Sequence, residues 1–292
     1  MTTPKIALYA GGPLGPDKIA QNLDATQKAG WTAIILGLFH IGRPEIKGQN
    51  YGDIIFNDSL FITEGEYQAD KTWPGNVEQL KQGGSTVKKI YASIGGGEPV
   101  EDYETIQAIY ENNGNSFSGT MLKTNLQKLK DTFPAIEGVD MDCEDNYDKA
   151  SFVAFCEMII GMGFDVTFCP YDRWQKSFWT ESLAQIEKGN PGAVKWWNLQ
   201  TYAGGEGNDP KDWANAITAA LPDFSTDGFI LASDWTEDAP SQVTDLFSNF
   251  KEETCLGGGF IWNMDGILSS GSTMADYVAA ISAGLKSASA LA

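Results

Sequence analysis

Residues 136–145 read IEGVDMDCED, and this short stretch decides the fold. Three of its five acids, Asp140, Asp142 and Glu144, occupy alternate positions, and an apolar residue precedes each of them. Strict alternation predicts a β-strand with one apolar face and one acidic face. Such a strand commonly belongs to an antiparallel sheet whose polar side faces water. The alternative is a strand enclosed on both faces, whose acids line a site, and the neighbouring sequence has to decide between the two.

Strand-like apolar runs recur along the whole chain, and helical patterns lie between them. The eight runs span residues 5–11, 32–41, 88–97, 136–144, 164–171, 194–203, 228–235 and 258–265. Helical periodicity covers residues 16–30, 118–133, 151–163, 209–221, 239–252 and 273–288. Eight strands that alternate with helices predict an α/β fold, a single (β/α)8 TIM barrel over residues 1–292. The alternative is a doubly wound open sheet, but no G-x-G-x-x-G motif follows the first strand.

The connection between the second and third predicted strands, residues 42–87, is unusually long for a compact fold. Its aromatic residues are Tyr51, Phe56, Phe61, Tyr67 and Trp73. Because the connection follows a strand, a barrel would place it on the face where the active sites of barrel proteins lie. We expect this connection to form an excursion with a small core of its own. The second interpretation is that the connection forms one wall of a groove.

The predicted barrel changes the interpretation of the three acids. A parallel barrel strand is covered by helices outside and by packed side chains inside. The acids would then face the barrel axis, with Glu144 nearest the C-terminal mouth. An unpaired buried ion costs on the order of several kcal/mol, so this arrangement indicates a site rather than a solvated face. Neighbouring carboxyls disfavour double ionisation, and a protonated Glu144 could donate a proton to a leaving oxygen.

The net charge limits the classes of partner. The chain has 20 basic and 39 acidic residues, a formal charge of −19, which argues against nucleic acid and anionic membrane surfaces. No segment approaches the roughly 20 apolar residues of a membrane helix. Residues 1–10 run into a strand without the pattern of a secretory signal. We therefore expect a protein that stays in the cell, leaves it by an unusual route, or is the mature form of a secreted one.

Metal and histidine chemistry have little support in the sequence. The four cysteines lie in or beside apolar stretches and form no C-x-x-C, so we expect buried thiols rather than disulfides or metal ligands. His40 is the only histidine, and we expect it to pack or hydrogen-bond at a strand end. Three acids on one strand converge poorly on a cation, so we expect no metal site. The cysteines are Cys143, Cys156, Cys169 and Cys255.

The acidic strand resembles a family motif. EGVDMDCE (137–144) is similar to the DGxDxDxE signature of glycoside hydrolase family 18, the chitinases and related endo-β-N-acetylglucosaminidases. Four weaker resemblances follow the chain order of the family. IALYAGG (6–12) resembles its first strand, and SIGGG (93–97) resembles its S-x-G-G segment. NLQTYA (198–203) resembles the Q-x-Y segment of the class III plant and fungal type, and FIWNMD (260–265) resembles the final strand. Two departures are Glu137 in place of Asp, for which we expect a structural effect, and Ala203 in place of Asp or Asn.

The resemblance implies a retaining, substrate-assisted hydrolysis of β-1,4-linked N-acetylglucosamine, with no cofactor or metal. Glu144 would act as acid and base, and Asp142 would orient the substrate acetamide. Asp140 would share a proton or hydrogen bond with Asp142. Tyr202 would bind the acetamide oxygen, and Trp262 would stack under the sugar at subsite −1, unless it packs in the core. Further substrate contacts would come from Tyr9, Gln200 and Ser93.

Other functions stay open at the level of sequence. An endo-β-N-acetylglucosaminidase acting on N-glycans is the first alternative, because loops decide between it and a chitinase. The second is a chitinase-like carbohydrate-binding or storage protein with weak or no activity. The presence of Asp142, Glu144 and Tyr202 favours an enzyme. We expect a monomer whose partner is an oligosaccharide or polysaccharide that contains N-acetylglucosamine.

Overall fold

Eight parallel strands form a closed barrel, which confirms the predicted (β/α)8 fold. The computed structural model describes residues 3–97, 101–202, 205 and 207–286. The barrel strands are β1 (Lys5–Ala10), β2 (Ala33–Ile41), β6 (Lys89–Gly95), β7 (Gly138–Asp142), β8 (Asp165–Phe168), β9 (Val194–Asn198), β10 (Ile230–Trp235) and β11 (Leu256–Trp262). Each pairs with its neighbour in this order, and β1 pairs with both β2 and β11, which closes the barrel.

Helices follow the strands and cover the outside of the barrel. They are α1 (Ile19–Lys28), α2 (Trp73–Gln79), α3 (Asp102–Asn112), α4 (Met121–Thr132), α5 (Lys149–Gly161), α6 (Lys176–Gly189), α7 (Pro210–Ala220), α8 (Pro240–Phe250), α9 (Met264–Ser270) and α10 (Met274–Lys286). Six of them were predicted, whereas α2, α3, α6 and α9 were not. None of the helices in the described residues has the length and apolar character to cross a lipid bilayer.

Side-chain caps explain several helix boundaries. Asp148 accepts a hydrogen bond from the Ser151 amide at 2.8 Å and begins α5. Asn263 accepts one from the Gly266 amide at 3.0 Å and begins α9. Both caps satisfy amides that have no partner inside the helix. Because Asn263 starts a helix, β11 ends at Trp262, three residues before the end of the predicted strand.

The long connection after β2 forms the predicted excursion. Strands β3 (Ile54–Phe56), β4 (Ser59–Thr63) and β5 (Glu66–Tyr67) pair antiparallel, and β3 continues the sheet from the end of β2. The Phe61 ring lies 5.2 Å from that of Trp73 and 5.5 Å from that of Phe133 between ring centroids. These aromatic rings pack together, but they belong to the main apolar core and not to a separate core of the excursion, and Tyr51 is exposed.

The apolar core has two layers, and they point the acids inward. Val139, Met141 and Cys143 belong to the layer between the strands and the helices. Asp140 and Asp142 therefore project into the barrel and are buried, as the alternation predicts. All four cysteines are buried and free, as expected.

Charged side chains form ion pairs at the N-terminal ends of the barrel strands, opposite the mouth. Glu137, just before β7, lies 3.1 Å from the amine of Lys81 and 3.5 Å from that of Lys89. Lys89 also lies 3.4 Å from the carboxylate of Asp165. Glu137 is thus part of a surface network at the strand starts, the location expected for this departure from the family motif.

Candidate active site

Asp140 is the deepest of the three acids and is fully buried. Its Oδ2 accepts hydrogen bonds from Tyr9 Oη at 2.7 Å and Ser93 Oγ at 2.9 Å. Its Oδ1 accepts from Thr167 Oγ1 at 2.6 Å and Asn198 Nδ2 at 2.9 Å. Burial raises the pKa of Asp140, and these four donors oppose that rise by stabilising the carboxylate. Residues of four other barrel strands thus support one charge at the centre of the barrel.

Asp142 and Glu144 form the outer pair of the acidic stack. A side-chain hydrogen bond joins them, and Gln200 Nε2 donates to Glu144 Oε1 at 2.7 Å and to Asp142 Oδ1 at 3.1 Å. Burial raises the pKa of Asp142 well above its usual range, and the charges of Glu144 and Asp140 raise it further. Burial also raises the pKa of Glu144, whereas its hydrogen bonds from Gln200 and Asp142 lower it. The pKa values of both carboxyls are thus raised by burial, and the pair shares a proton through this hydrogen bond.

The hydrogen bond of Asp142 differs from the sequence-based expectation. Asp142 was expected to share a proton or hydrogen bond with Asp140. Both oxygens of Asp140 are instead occupied by the four donors, and Asp142 pairs with Glu144. The reason is the set of donors from β1, β6, β8 and β9, which the sequence of β7 alone does not reveal.

A cavity of about 430 Å³ opens at the mouth on the side of β1, β2 and β11. Tyr9 and Trp262 line it, and the Tyr9 hydroxyl links it to Asp140. Asn57 and Asp58 of the excursion also line it, so the excursion forms part of the cavity wall. A larger cavity of about 630 Å³ lies against α5, α6 and α7 outside the barrel, where none of the acids reaches it.

Aromatic rings surround the mouth of the barrel. Trp262 is half-buried, and its ring centroid lies 5.5 Å from that of Tyr9. Tyr202 stacks on Trp235 with centroids 6.0 Å apart and ring planes at 23°. Tyr202 and Trp262 both pack at the edge of the cluster that fills the barrel interior. Trp262 therefore lines the cavity rather than packing only in the core.

Solved structures with a similar fold include two chitinases. The catalytic domain of a family GH18 chitinase from the fern Peteris ryukyuensis aligns with a TM-score of 0.60 at 18% identity, over 96% of this chain and 98% of that one. The catalytic domain of a hyperthermophilic chitinase from Pyrococcus furiosus aligns with a TM-score of 0.61 at 12% identity, over 98% and 96%. This is the fold of the family 18 chitinases.

The family 18 fold is not confined to chitinases. A xylanase and alpha-amylase inhibitor protein from Scadoxus multiflorus aligns with a TM-score of 0.55 at 14% identity, over 95% of this chain and 99% of that one. No protein-family model matches the sequence, and neither does any curated protein. The similarity therefore establishes the architecture, and the chemistry must be argued from the site.

The family-like segment 93–97 is a close-packed strand end. Gly95 and Gly96 have φ angles of 116° and 110°, a region that favours glycine. The Gly96 amide donates to the Asp142 carbonyl at 2.8 Å, and a Cβ on Gly97 would lie 3.2 Å from Glu144 Oε2. The segment thus keeps space beside Glu144, which favours the predicted tight packing over a phosphate site. The other departure from the family pattern, Ala203, lies outside the described residues.

Sequence reasoning missed several polar partners of the site. Thr167 and Asn198 both donate to Asp140, and alternation along β8 and β9 could have indicated that they point inward.

His40 Nδ1 lies 2.9 Å from Asp102 Oδ2, and the Ile41 amide donates to Asp102 Oδ1 at 2.6 Å. His40 is thus a hydrogen-bonding residue at a strand end, as expected, and it also lines the cavity.

Within the described residues, no group of three or more histidine, cysteine or acidic side chains is arranged to hold a metal ion. The three acids instead have hydrogen-bond donors as partners. Ser93 and Tyr9, both predicted to contact substrate, contact Asp140 directly. Gln200 contacts the outer pair. Tyr9, Ser93 and Gln200 thus contact the acids, whereas Tyr202 and the three acids are not among the residues that line the cavity beside Trp262.

Proposed function

We propose that this protein is a retaining glycoside hydrolase that cleaves β-1,4-linked N-acetylglucosamine in chitin or chitooligosaccharides. The observation that carries the proposal is the acidic stack of Asp140, Asp142 and Glu144, whose outermost member reaches the mouth beside Gln200. The stack keeps a shared proton next to an exposed edge, as proton donation to a leaving group requires. We further propose that residues 1–292 act as one catalytic domain and as a monomer.

The proposed chemistry follows the substrate-assisted mechanism implied by the resemblance to family 18. Glu144, protonated when substrate binds, gives its proton to the glycosidic oxygen while the carbonyl oxygen of the substrate acetamide attacks the anomeric carbon. The bond to the leaving sugar breaks and an oxazolinium forms. Glu144 then takes a proton from water, which opens the ring with retained configuration. A second protein nucleophile is therefore unnecessary.

The remaining site residues have supporting roles in this proposal. Asp142 accepts the acetamide N–H and stabilises the positive charge that develops on it. Tyr202 donates its hydroxyl to the acetamide oxygen. Trp262 offers its ring face to the sugar at subsite −1, and its position on the cavity wall supports this role. Asp140 keeps a negative charge below the pair and acts through Asp142.

Two other functions remain as alternatives. A carbohydrate-binding protein without activity is one of them, and the fold does not exclude it, because the inhibitor protein from Scadoxus multiflorus shows that the fold also occurs outside chitinases. The intact Asp142–Glu144 pair with its Gln200 donor supports the enzyme instead. An endo-β-N-acetylglucosaminidase would use the same acids, and only the substrate separates it from a chitinase.

The test uses the full chain and its Glu144→Gln variant, with chitooligosaccharides and a high-mannose glycoprotein as substrates. We expect the wild type to cleave the chitooligosaccharides and the variant to lose roughly 10²- to 10⁴-fold in kcat, with sugar binding retained. Cleavage of the glycoprotein alone would favour the endo-β-N-acetylglucosaminidase. Binding without cleavage of either substrate would favour the binding protein. A thiazoline mimic of the cyclised acetamide should inhibit, and a lack of inhibition would contradict the substrate-assisted mechanism.

A further inference from the structure

Cys169 differs from the other three cysteines because its thiol lies inside the barrel. All four lie in the described part of the chain and are free. Cys143, Cys156 and Cys255 belong to the layer between the strands and the helices. Cys169 belongs to the cluster that fills the barrel interior and is only 1% exposed. The proposed reaction does not use this thiol, although it lies among the residues that carry the reaction.

The pairing of β7 with β8 places Cys169 beside Asp142. Asp140 is opposite Thr167 in this parallel register, and two further residues along each strand the same pairing brings Asp142 and Cys169 together. The Cys169 amide donates to the Met141 carbonyl at 2.9 Å, which holds the backbone in this register just beyond the last residue of β8. Because side chains alternate along a strand, Thr167 and Cys169 both point into the barrel. Thr167 therefore faces the deepest acid, and Cys169 faces the next one.

The sulfur lies near two donors whose hydrogens already have acceptors. Tyr9 Oη lies 3.2 Å from Cys169 Sγ, but the single hydroxyl hydrogen of Tyr9 goes to Asp140 at 2.7 Å. Gln200 Nε2 lies 3.5 Å from the same sulfur, but its two hydrogens go to the two acids of the outer pair. Neither neighbour therefore gives the sulfur a hydrogen of its own, and the thiol is left to act as a donor.

The Asp142 carboxyl is the acceptor for the thiol hydrogen. A side-chain hydrogen bond from Cys169 lowers the pKa of Asp142, against the larger rise that comes from burial and from the charges of Glu144 and Asp140. Burial raises the pKa of the Cys169 thiol well above its usual range, and the charges of Asp142 and Asp140 raise it further. The sulfur thus keeps its hydrogen, and a protonated thiol beside a carboxylate donates to it.

We propose that Cys169 is a positioning residue, which donates its S–H to Asp142 and thereby shifts the proton shared by the outer pair toward Glu144. The inference rests on the proposed function and adds a residue to that same site. A donor to Asp142 stabilises the arrangement in which Asp142 is ionised and Glu144 carries the proton. The reaction starts from this arrangement, because Glu144 protonates the glycosidic oxygen while the charge of Asp142 stabilises the acetamide.

The titratable groups that face the thiol come from three parts of the barrel. They are the three acids of the stack, Tyr9 of β1, and Tyr202, which follows β9. Burial raises the pKa of both tyrosines well above its usual range, so both stay neutral at ordinary pH. A change of pH therefore acts on the thiol through the acidic stack.

The first test is infrared spectroscopy of the S–H stretch, a band that moves to lower frequency when a thiol donates a hydrogen bond. The difference spectrum between the wild type and Cys169→Ala assigns the Cys169 band, and Cys156→Ala assigns a matched reference thiol in the apolar layer. We expect the Cys169 band at lower frequency than the Cys156 band. It should move to higher frequency in Asp142→Ala, which removes the acceptor, and by a smaller amount in Asp142→Asn, which keeps a neutral one.

The second test compares the kinetics of Cys169→Ala, which removes the donor, with those of Cys169→Ser, which replaces it with a hydroxyl donor. We expect Cys169→Ala to lower kcat on chitooligosaccharides roughly tenfold and to change KM less than about twofold. Both limbs of its kcat/KM profile should move to higher pH, because the pKa of the pair rises when a donor to its ionised form is lost. Cys169→Ser should restore kcat and return the limbs toward lower pH, and Cys156→Ala should leave the profile in place.

The two tests separate this inference from the proposed function. An S–H band that responds to neither Asp142 variant overturns the inference, whether or not the protein cleaves a sugar. A band that responds in a protein that cleaves nothing supports the assigned donor and contradicts the hydrolase. Equal losses of kcat in Cys169→Ala and Cys169→Ser, with the pH limbs unmoved, would mean that the thiol only fills space and would overturn the inference.

Discussion

At the scale of single residues, hydrogen-bond donors decide what each acid can do. Asp140 has four donors and is fully buried, whereas Glu144 has hydrogen bonds with Gln200 and Asp142 and stays partly exposed. Asp142 lies between them and shares a hydrogen bond with Glu144. Three acids with the same side-chain chemistry therefore acquire different protonation behaviour from their depth in the barrel.

Removing the Asp140 side chain should destabilise the barrel strongly. Asp140→Ala would leave four buried donors without an acceptor, and we expect a loss of about 2–4 kcal/mol in the free energy of unfolding. Asp140→Asn should cost less, because the Tyr9 and Ser93 hydroxyls can turn to accept from the new amide. Urea unfolding measures both changes. Equal stability of Asp140→Ala and the wild type would contradict the assigned hydrogen bonds.

Gln200 should set the pH range of the reaction. Its hydrogen bond favours the ionised form of Glu144 and so lowers its pKa. In Gln200→Leu, which lacks that donor, the pKa of the Asp142–Glu144 pair should rise. Since the general acid must be protonated, the basic limb of the kcat/KM profile should move to higher pH. A basic limb that stays in place or moves to lower pH would contradict this assignment.

At the scale of elements, close packing between strands places the acids. Gly138 begins β7 opposite Tyr91 of β6, and a Cβ at this position would overlap the Tyr91 ring. The absence of a side chain at Gly138 therefore lets β7 lie close enough to β6 for Ser93 to reach Asp140. The register of the acidic strand depends on this contact.

Gly138→Ala should consequently destabilise the protein by about 1–3 kcal/mol or more, as overpacking does. Gly161→Ala is a matched control, because a Cβ at the end of α5 meets nothing within 4 Å. That variant should be neutral or slightly stabilised, since alanine loses less backbone entropy on folding. Thermal unfolding of both variants tests the contact, and equal melting temperatures would contradict it.

At the scale of the whole molecule, the net negative charge and the buried acids should both make the folded state less stable as the pH rises. The formal net charge is −19. Burial, reinforced by the charge of Asp238, raises the pKa of Asp234 to about 7, and burial raises that of Asp145 to about 6. Acids with a raised pKa in the folded state stabilise the fold when they are protonated, so their contribution is present below their unfolded pKa and is lost as pH rises through the folded value.

The melting temperature should therefore be higher near about pH 5 than near about pH 8. Asp234→Asn removes one of the raised groups and should reduce the difference between the two conditions. Added salt should increase stability at the higher pH by screening the negative charges. Calorimetry at the two pH values tests this, and a melting temperature that rises toward the higher pH would contradict it.

The architecture and the acidic stack could be predicted from the sequence because both are encoded in local periodicity. A side-chain period of two identifies a strand and its faces, so the eight strands and the inward direction of Asp140 and Asp142 followed directly. Short or weakly periodic helices such as α2 and α9 carry little of this signal, and they were missed. The aromatic residues of the excursion were expected to form a core of their own, but they join the main core, and its three strands were not predicted.

The sequence by itself determined which residues alternate, which runs are apolar and where the net charge lies. Only the tertiary structure decided that Asp142 pairs with Glu144, that Thr167 and Asn198 support Asp140, and that the Cys169 thiol lies beside Asp142. The physical reason is that side-chain direction follows from the local backbone, whereas a hydrogen-bond partner depends on the register of strands that are distant in the chain.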